Sequence, residues 1–467
     1  MKQQAASCAL VGLLMAAACG GDTADPRDQW VAHISTDAPL PQLGDRVLVE
    51  ILDDSGQVVC SGCRRHIGVA ATDDWPLSFG IVPPAANQEV QVRVRLYRSQ
   101  YVGSDGLPAG PLVIDRIGSL PPPSGVTNVS IRLVMGCFGV PSDLAARTTC
   151  NPETGQLAAV RELPLLSAEP AVLHPGSWEL AASVPCAEEP PEGMACVEGG
   201  TFLLGAPRYF SVSTRDAPAP ERLVHVGAFA LDRDEFSVGR VREFVQSGAV
   251  TREPYPFNAD PSSGQDYCHY LGANDGDNDA LPVNCLDRDL AKELCAAAGK
   301  RLPTEAEWEF AAGNRTLESP FPWGSAEPPC DYAIVGRGRS ALEGSGDEDD
   351  SCRARDDTGV LPPGPVAGGH DADVTNDGIR NLGGNLTEFV QDDFVPYEDN
   401  CWGTNELILT DPVCQASVET LALRGGSWDN PPNRAHTYNR NGGPASITAI
   451  DIGFRCALSL SSEADAR

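Results

Sequence analysis

The stretch GKRLPTEAEWEFAAG, residues 299–313, decides the fold of this 467-residue chain. Thr304 is a good N-cap, and Glu307 follows it at the spacing of a capping box, so a helix is predicted to begin here. The preceding run LPVNCLDRDLAKELCAAAG predicts a second helix, and residues 300–303 join the two. The segment therefore predicts a helical pair with a short connection.

Motifs on both sides of this stretch extend the pattern. They are GGTFLLG (199–205), FALDRDEFSVGRVREFV (229–245), FPWG (321–324), NLGGNLTEFVQDDF (381–394), LRGGSW (423–428) and DIGFRC (451–456). In this order, and over residues 197–458, the seven motifs resemble the formylglycine-generating enzyme, or sulfatase-modifying factor, family. Thr387 and Phe389 replace two tryptophans of the family's pattern. The resemblance implies an irregular α+β domain related to C-type-lectin-like folds.

The best-known chemistry of that family is copper-dependent oxidation of a cysteine, and the resemblance places its two copper-binding thiols at positions 430 and 435. This chain has Asn430 and Ala435 there, whereas Ser427 of the GGSW motif is retained. Neither replacement binds the soft Cu(I) ion. We therefore expect no catalytic residues of this type and no copper. The iron-dependent sulfoxide synthases of this fold need a three-histidine site, and the seven histidines here are scattered.

Calcium is the metal that the resemblance predicts. The family site combines an asparagine side chain, two backbone carbonyls and a glutamate side chain within eight residues. These positions correspond to Asn381, Gly384, Leu386 and Glu388. Hard oxygen ligands of this mixed kind suit Ca²⁺. The alternative is that Glu388 only caps the start of a helix.

The sixteen cysteines indicate a disulfide framework in an exported protein. Without Cys8 and Cys19 near the N-terminus, an even set of fourteen remains. Cys60-x-x-Cys63 could instead be a redox or zinc motif, although no second closely spaced cysteine pair completes a zinc site. We interpret this cysteine pair as a structural disulfide.

The family resemblance implies a bridge between Cys295 and Cys456. Proximity alone favours local pairs elsewhere, and the sequence leaves their connectivity open. The candidate local pairs are 186–196, 268–285, 330–352 and 401–414.

Residues 1–19 resemble a bacterial lipoprotein signal peptide, with Lys2, a short apolar run and three alanines before Cys19. Cys19 would carry the lipid, which predicts an exported protein anchored in the cell envelope. The alternative is a plain secreted protein.

Composition changes along the chain predict a multidomain protein. Residues 20–44 read as a tether, and alternating apolar residues with regular turn signals predict a β-sandwich over 45–150. Residues 151–195, rich in Pro, Glu and Ala, read as a linker that docks onto the next domain. The irregular α+β domain then spans 196–460, and 461–467 form a tail.

The formal net charge of -31 excludes nucleic acid as a partner and leaves the lipid anchor as the expected contact with a membrane. Two functional hypotheses remain. The first is a non-catalytic, calcium-stabilised module that is structural or binds a protein or glycan. The second is an enzyme, either an oxidoreductase of the formylglycine-generating type or another activity in the family's substrate groove, which the resemblance places around Ser427 and Asn430.

Overall fold

A computed structural model describes residues 28–69, 71–83, 90–168, 172–206, 219–260, 265–338, 352, 366–403 and 407–460. The predicted signal peptide, Cys19 and the C-terminal tail lie outside these residues. Within them, no helix combines the length and the apolar character needed to cross a membrane.

The N-terminal part of the described chain is built from strands. In chain order they are β1 (Gln29–Thr36), β2 (Arg46–Leu52), β3 (Arg64–Gly68), β4 (Leu77–Ile81), β5 (Gln91–Tyr97), β6 (Ile114–Ser119), β7 (Val126–Leu133), β8 (Thr148–Cys150) and β9 (Leu157–Ala159). One sheet has the order β4-β1-β7 and the other has the order β3-β2-β5-β6, while β8 and β9 form a hairpin. The β1–β7 pair is parallel, and the remaining pairs in these sheets are antiparallel.

Apolar side chains from both sheets form one shared core. Trp30 and Ile131 come from the first sheet, and Val49 and Val94 come from the second. Burial of apolar surface from two sheets explains why the alternation in these strands is a usable signal.

Two of the predicted boundaries are wrong. The predicted tether over 20–44 contains β1, which is the central strand of its sheet and buries Trp30 and Ile34. The predicted linker over 151–195 begins inside the N-terminal region, because β9 pairs with β8 and Leu163 is buried in the shared core. In β1 the apolar residues Trp30, Ala32 and Ile34 alternate with period two, and this single short run lies within the mostly polar segment 20–44.

The second region alternates short strands with three helices. Its elements are β10 (Met194–Val197), β11 (Gly200–Leu204), β12 (Arg222–Val226), β13 (Phe229–Asp232), α1 (Val238–Ser247), α2 (Arg288–Ala297), α3 (Glu305–Ala312), β14 (Thr387–Asp393), β15 (Ile408–Thr410), β16 (Thr420–Arg424), β17 (Arg440–Pro444), β18 (Ile452–Gly453) and β19 (Ala457–Ser459). They form three small sheets with the orders β10-β13-β19, β11-β12-β15 and β17-β16-β14-β18. The long irregular connections between them agree with the expected α+β fold.

Helix α3 is the predicted helix of the signature stretch. The Thr304 side chain accepts a hydrogen bond from the backbone N–H of Glu307, and the Glu307 carboxylate accepts one from the backbone N–H of Thr304. All eight helix residues are buried. Because the helix carries Glu305, Glu307 and Glu309 into the interior, it requires cationic partners there.

The two regions pack directly against each other. Leu203 and Leu223 of the second region belong to the core of the first. At the junction, Arg98 lies 2.7 Å from the Glu318 carboxylate, and the Tyr101 hydroxyl donates a hydrogen bond to Glu221. Residues of both regions, including Arg98 and Glu221, line a junction cavity of about 340 Å³.

Disulfides pin both regions. In the described part of the chain, each of the fourteen cysteines is bonded. The pairs are Cys60–Cys63, Cys137–Cys150, Cys186–Cys196, Cys268–Cys285, Cys295–Cys456, Cys330–Cys352 and Cys401–Cys414. The Cys295–Cys456 bond joins α2 to the segment before β19 across 161 residues. The other six bonds close short local loops.

Candidate functional site

The acidic residues of α3 meet buried arginines. Arg440 contacts both oxygens of the Glu305 carboxylate, and Arg424 lies between Glu305 and Glu309. Burial alone would raise the pKa of Glu305, but Arg440 and Arg424 more than offset this effect and lower it. The signature helix is thus fixed by ion pairs to strands β16 and β17.

Three of the predicted calcium ligands, Asn381, Gly384 and Leu386, lie in one turn before β14, and Glu388 is the second residue of that strand. Asn381 and Asn385 both have left-handed backbone conformations, with φ of 61° and 68°. Glu235 accepts hydrogen bonds from the Asn381 and Asn385 side-chain amides at 3.1 and 2.7 Å. It also accepts one from the backbone N–H of Leu386 at 3.1 Å. Glu235 therefore organises the turn.

Glu388 lies in the strand after this turn and is fully buried. Its carboxylate contacts the Arg455 guanidinium at 2.7 Å and accepts a hydrogen bond from Trp308 Nε1 at 2.8 Å. It does not cap a helix, because strand β14 follows the turn. The side-chain oxygen of Asn381 accepts a hydrogen bond from the backbone N–H of His370 at 3.2 Å.

Three buried carboxyl groups and one buried guanidinium surround this turn. Glu235, Asp373 and Glu388 are buried carboxyl groups, and Arg455 is the guanidinium that acts on all three. Burial raises the pKa of Glu235 to about 8 and that of Asp373 to about 7. The Glu388 carboxylate is already shared between Arg455 and Trp308, and within the described residues no three His, Cys, Asp or Glu side chains form a group that could hold a metal ion.

The GGSW segment forms a second polar cluster next to this turn. Ser427 Oγ donates a hydrogen bond to the Asp451 carboxylate at 2.9 Å, and the Asn430 amide lies 3.5 Å from the same oxygen. Thr387 Oγ1 donates to the Asn430 side-chain oxygen at 3.3 Å. Burial raises the pKa of Asp451, and the hydrogen bond from Ser427 opposes this shift.

Neighbouring backbone covers the positions of the two expected thiols. The N–H of Gly336 donates to the carbonyl of Asn430 at 2.7 Å, and the N–H of Arg337 donates to the carbonyl of Trp428 at 2.8 Å. Ala435 is fully buried in an apolar cluster that includes Phe321. Position 435 is therefore closed to solvent, whereas Asn430 is half-buried.

Ser427 does not form a serine–histidine pair in this arrangement. Its hydroxyl bonds to Asp451, while Nδ1 of His436 lies 2.8 Å from the carbonyl oxygen of Asn433. Ser427 is also fully buried. A buried hydroxyl cannot reach a substrate without movement of the chain above it.

Sequence reasoning missed three acidic members of the two clusters. Glu235 and Asp451 lie within quoted motifs and Asp373 lies between motifs, and the resemblance assigns none of the three to the calcium site. Their roles depend on contacts with residues far away in the chain, such as the 146 positions between Glu235 and Asn381. Their local sequence gives no sign of these partners.

Comparisons with known proteins agree with the motif pattern. The family model described as a sulfatase-modifying factor enzyme 1-like domain matches residues 181–460. The formylglycine-generating enzyme of Bos taurus is 26% identical over 306 residues, which cover 57% of this chain and 75% of that enzyme. The Mus musculus protein named inactive C-alpha-formylglycine-generating enzyme 2 is 26% identical over 299 residues, which cover 57% of this chain and 85% of that protein.

A solved structure, that of PvdO from Pseudomonas aeruginosa, aligns with a TM-score of 0.42 and 20% sequence identity. The alignment covers 57% of this chain and 94% of PvdO. The family model matches more than half of the chain, and it includes the signature stretch and the turn before β14. The chain belongs to the sulfatase-modifying factor family.

Proposed function

We propose that this protein is exported and anchored to the bacterial cell envelope by a lipid on Cys19. Its N-terminal β-sandwich presents the sulfatase-modifying-factor domain. That domain is a non-catalytic module, stabilised by calcium, that is structural or binds a protein or glycan ligand.

The pairing of the cysteines is the observation that carries the non-catalytic part of the proposal. Copper-dependent cysteine oxidation needs two thiols that can bind Cu(I). In the described residues every cysteine is held in a disulfide, and positions 430 and 435 carry an amide and a methyl group. This supports a domain that retains the fold of its family without the oxidase chemistry.

Export is supported by the same disulfides. Seven bonds form and persist in an oxidising compartment, outside the reducing cytosol. Mass spectrometry of the mature N-terminus tests the anchor. A lipid-modified Cys19 is expected, and an unmodified Cys19 would contradict this part of the proposal.

The oxidase test uses the full chain with Cu(I) and a cysteine-containing sulfatase peptide. No aldehyde should form, and competition with a chromophoric Cu(I) chelator should show no stoichiometric copper. An active formylglycine-generating enzyme is the positive control. Aldehyde production by this protein would overturn the non-catalytic proposal.

An enzyme that uses the same groove is the alternative function. The hydrogen bond between Ser427 and the buried Asp451 is the observation that favours it, because a carboxylate can accept a proton from a hydroxyl. Aldehyde formation by the full chain that is lost in Ser427→Ala would favour this alternative, and aldehyde formation that persists in Ser427→Ala would contradict it.

A further inference from the structure

The Cys60–Cys63 disulfide differs from the other six in its exposure. Cys60 is exposed at the surface, whereas every other cysteine in the described residues is buried or half-buried. Cys63 is half-buried and packs against the core of the N-terminal region. The two sulfurs of this bond therefore differ in their access to an external thiol.

This disulfide also encloses the shortest loop, with a sequence separation of three. Because loop-closure entropy grows with the number of enclosed residues, the bond constrains the unfolded chain little. Hydrogen bonds hold the surrounding loop without it. The Asp53 carboxylate accepts from the backbone N–H of Ser55 and Gln57, and the N–H of Val59 donates to the carbonyl of Ile51.

Two arginines follow this disulfide in the sequence. Arg64 and Arg65 come immediately after Cys63, and both are exposed. The Arg64 guanidinium is paired with Glu50 at 2.8 Å.

We propose that Cys60–Cys63 is a thiol–disulfide exchange site for an external dithiol, such as a reduced dithiol protein. A thiolate of the dithiol attacks Sγ of Cys60, the Cys60–Cys63 bond breaks, and Cys63 leaves as a thiolate. The second thiol of the partner then attacks the partner sulfur that is bonded to Cys60 in the mixed disulfide. Cys60 is released, so this protein gains two electrons and two protons while the partner becomes a disulfide.

The test treats the native full chain with dithiothreitol, traps thiols by alkylation and measures each cysteine by peptide mass spectrometry. Exposed disulfides exchange faster than buried ones, so Cys60–Cys63 should open at least about tenfold faster than Cys137–Cys150. The circular dichroism spectrum should stay native during this reaction. Equal rates for the two bonds, or opening only when the native spectrum is lost, would overturn the proposal.

Single variants test the difference between the two sulfurs. In Cys63→Ser, the remaining Cys60 thiol should form a mixed disulfide with oxidised glutathione. In Cys60→Ser, the half-buried Cys63 thiol should react several-fold more slowly. The reverse order of reactivity would contradict the assignment of Cys60 as the attacked sulfur.

Discussion

Arg440 holds Glu305 in a buried ion pair, with Nη2 2.9 Å from Oε2, although the two residues are 135 positions apart in the chain. The pair joins the signature helix to β17, and Arg424 joins the same carboxylate to β16. A buried carboxylate between two guanidinium groups keeps its negative charge, which matches the lowered pKa of Glu305.

Glu305→Gln should strongly destabilise the protein. The substitution leaves Arg424 and Arg440 buried with less negative charge, and breaking a buried ion pair from one side costs about 3–5 kcal/mol. Chemical denaturation measures the change in the free energy of unfolding. Glu243→Gln, at an exposed position of α1, is the matched control and should change it by less than about 0.5 kcal/mol. Equal effects of the two substitutions would contradict this role for Glu305.

The local parts of the fold could be predicted from the sequence. The Thr304 capping box and the strand β2 depend on neighbouring residues, and the structure contains both. The strand β1 falls in the predicted tether, although Trp30, Ala32 and Ile34 show the period-two burial of a strand. Its position at the centre of a sheet is set by pairing with distant strands.

The same difference between local features and long-range contacts applies to the candidate site. The motif pattern places Asn381 and Glu388 in one segment, and the structure has Asn381 in the turn and Glu388 in the strand that follows it. The partner of Glu388 is Arg455, 67 positions away, and this contact follows from the packing of β14 against the C-terminal segment. Such a long-range contact has no local sequence signal.

Calcium should stabilise the protein if the turn before β14 binds it. A ligand that binds only the folded state at a hundred times its Kd adds about 2.7 kcal/mol to the free energy of unfolding. Chelation should therefore lower the Tm, and Glu388→Gln should remove this response. Because Glu388→Gln also weakens the contact with Arg455, the measured quantity is the difference in Tm with and without calcium for each variant.

Glu318→Gln is the control for the calcium measurement. Glu318 is a carboxylate at the junction with Arg98, away from the turn, and its variant should keep the full calcium response. Loss of the response in both variants, or in neither, would contradict calcium binding at the turn.

Stability should fall as the pH rises from about 4.5 to about 8, partly through Glu221. Burial raises the pKa of Glu221 to about 8 from 4.5, so the folded protein holds a proton that the unfolded chain releases. Glu221→Gln keeps a neutral side chain beside Tyr101 at every pH. It should leave the Tm nearly unchanged at pH 4.5 and raise it at pH 8. At pH 8 the free energy of unfolding should increase by about 1–3 kcal/mol. Glu243→Gln should show no such dependence, and a Tm gain at pH 4.5 would contradict the assignment.

The Cys295–Cys456 bond should stabilise the protein more than any other disulfide in the described residues. It encloses the longest loop, with a separation of 161 residues against 17 for Cys268–Cys285. Loop-entropy reasoning gives at most about 5 kcal/mol for the first bond and about 3 kcal/mol for the second. Double alanine variants of each pair, compared by denaturant unfolding, measure the difference. All four cysteines are buried, so the small cavities left by the substitutions are comparable. A smaller loss for Cys295→Ala/Cys456→Ala than for Cys268→Ala/Cys285→Ala would show that local packing, and not the length of the closed loop, determines what these bonds contribute.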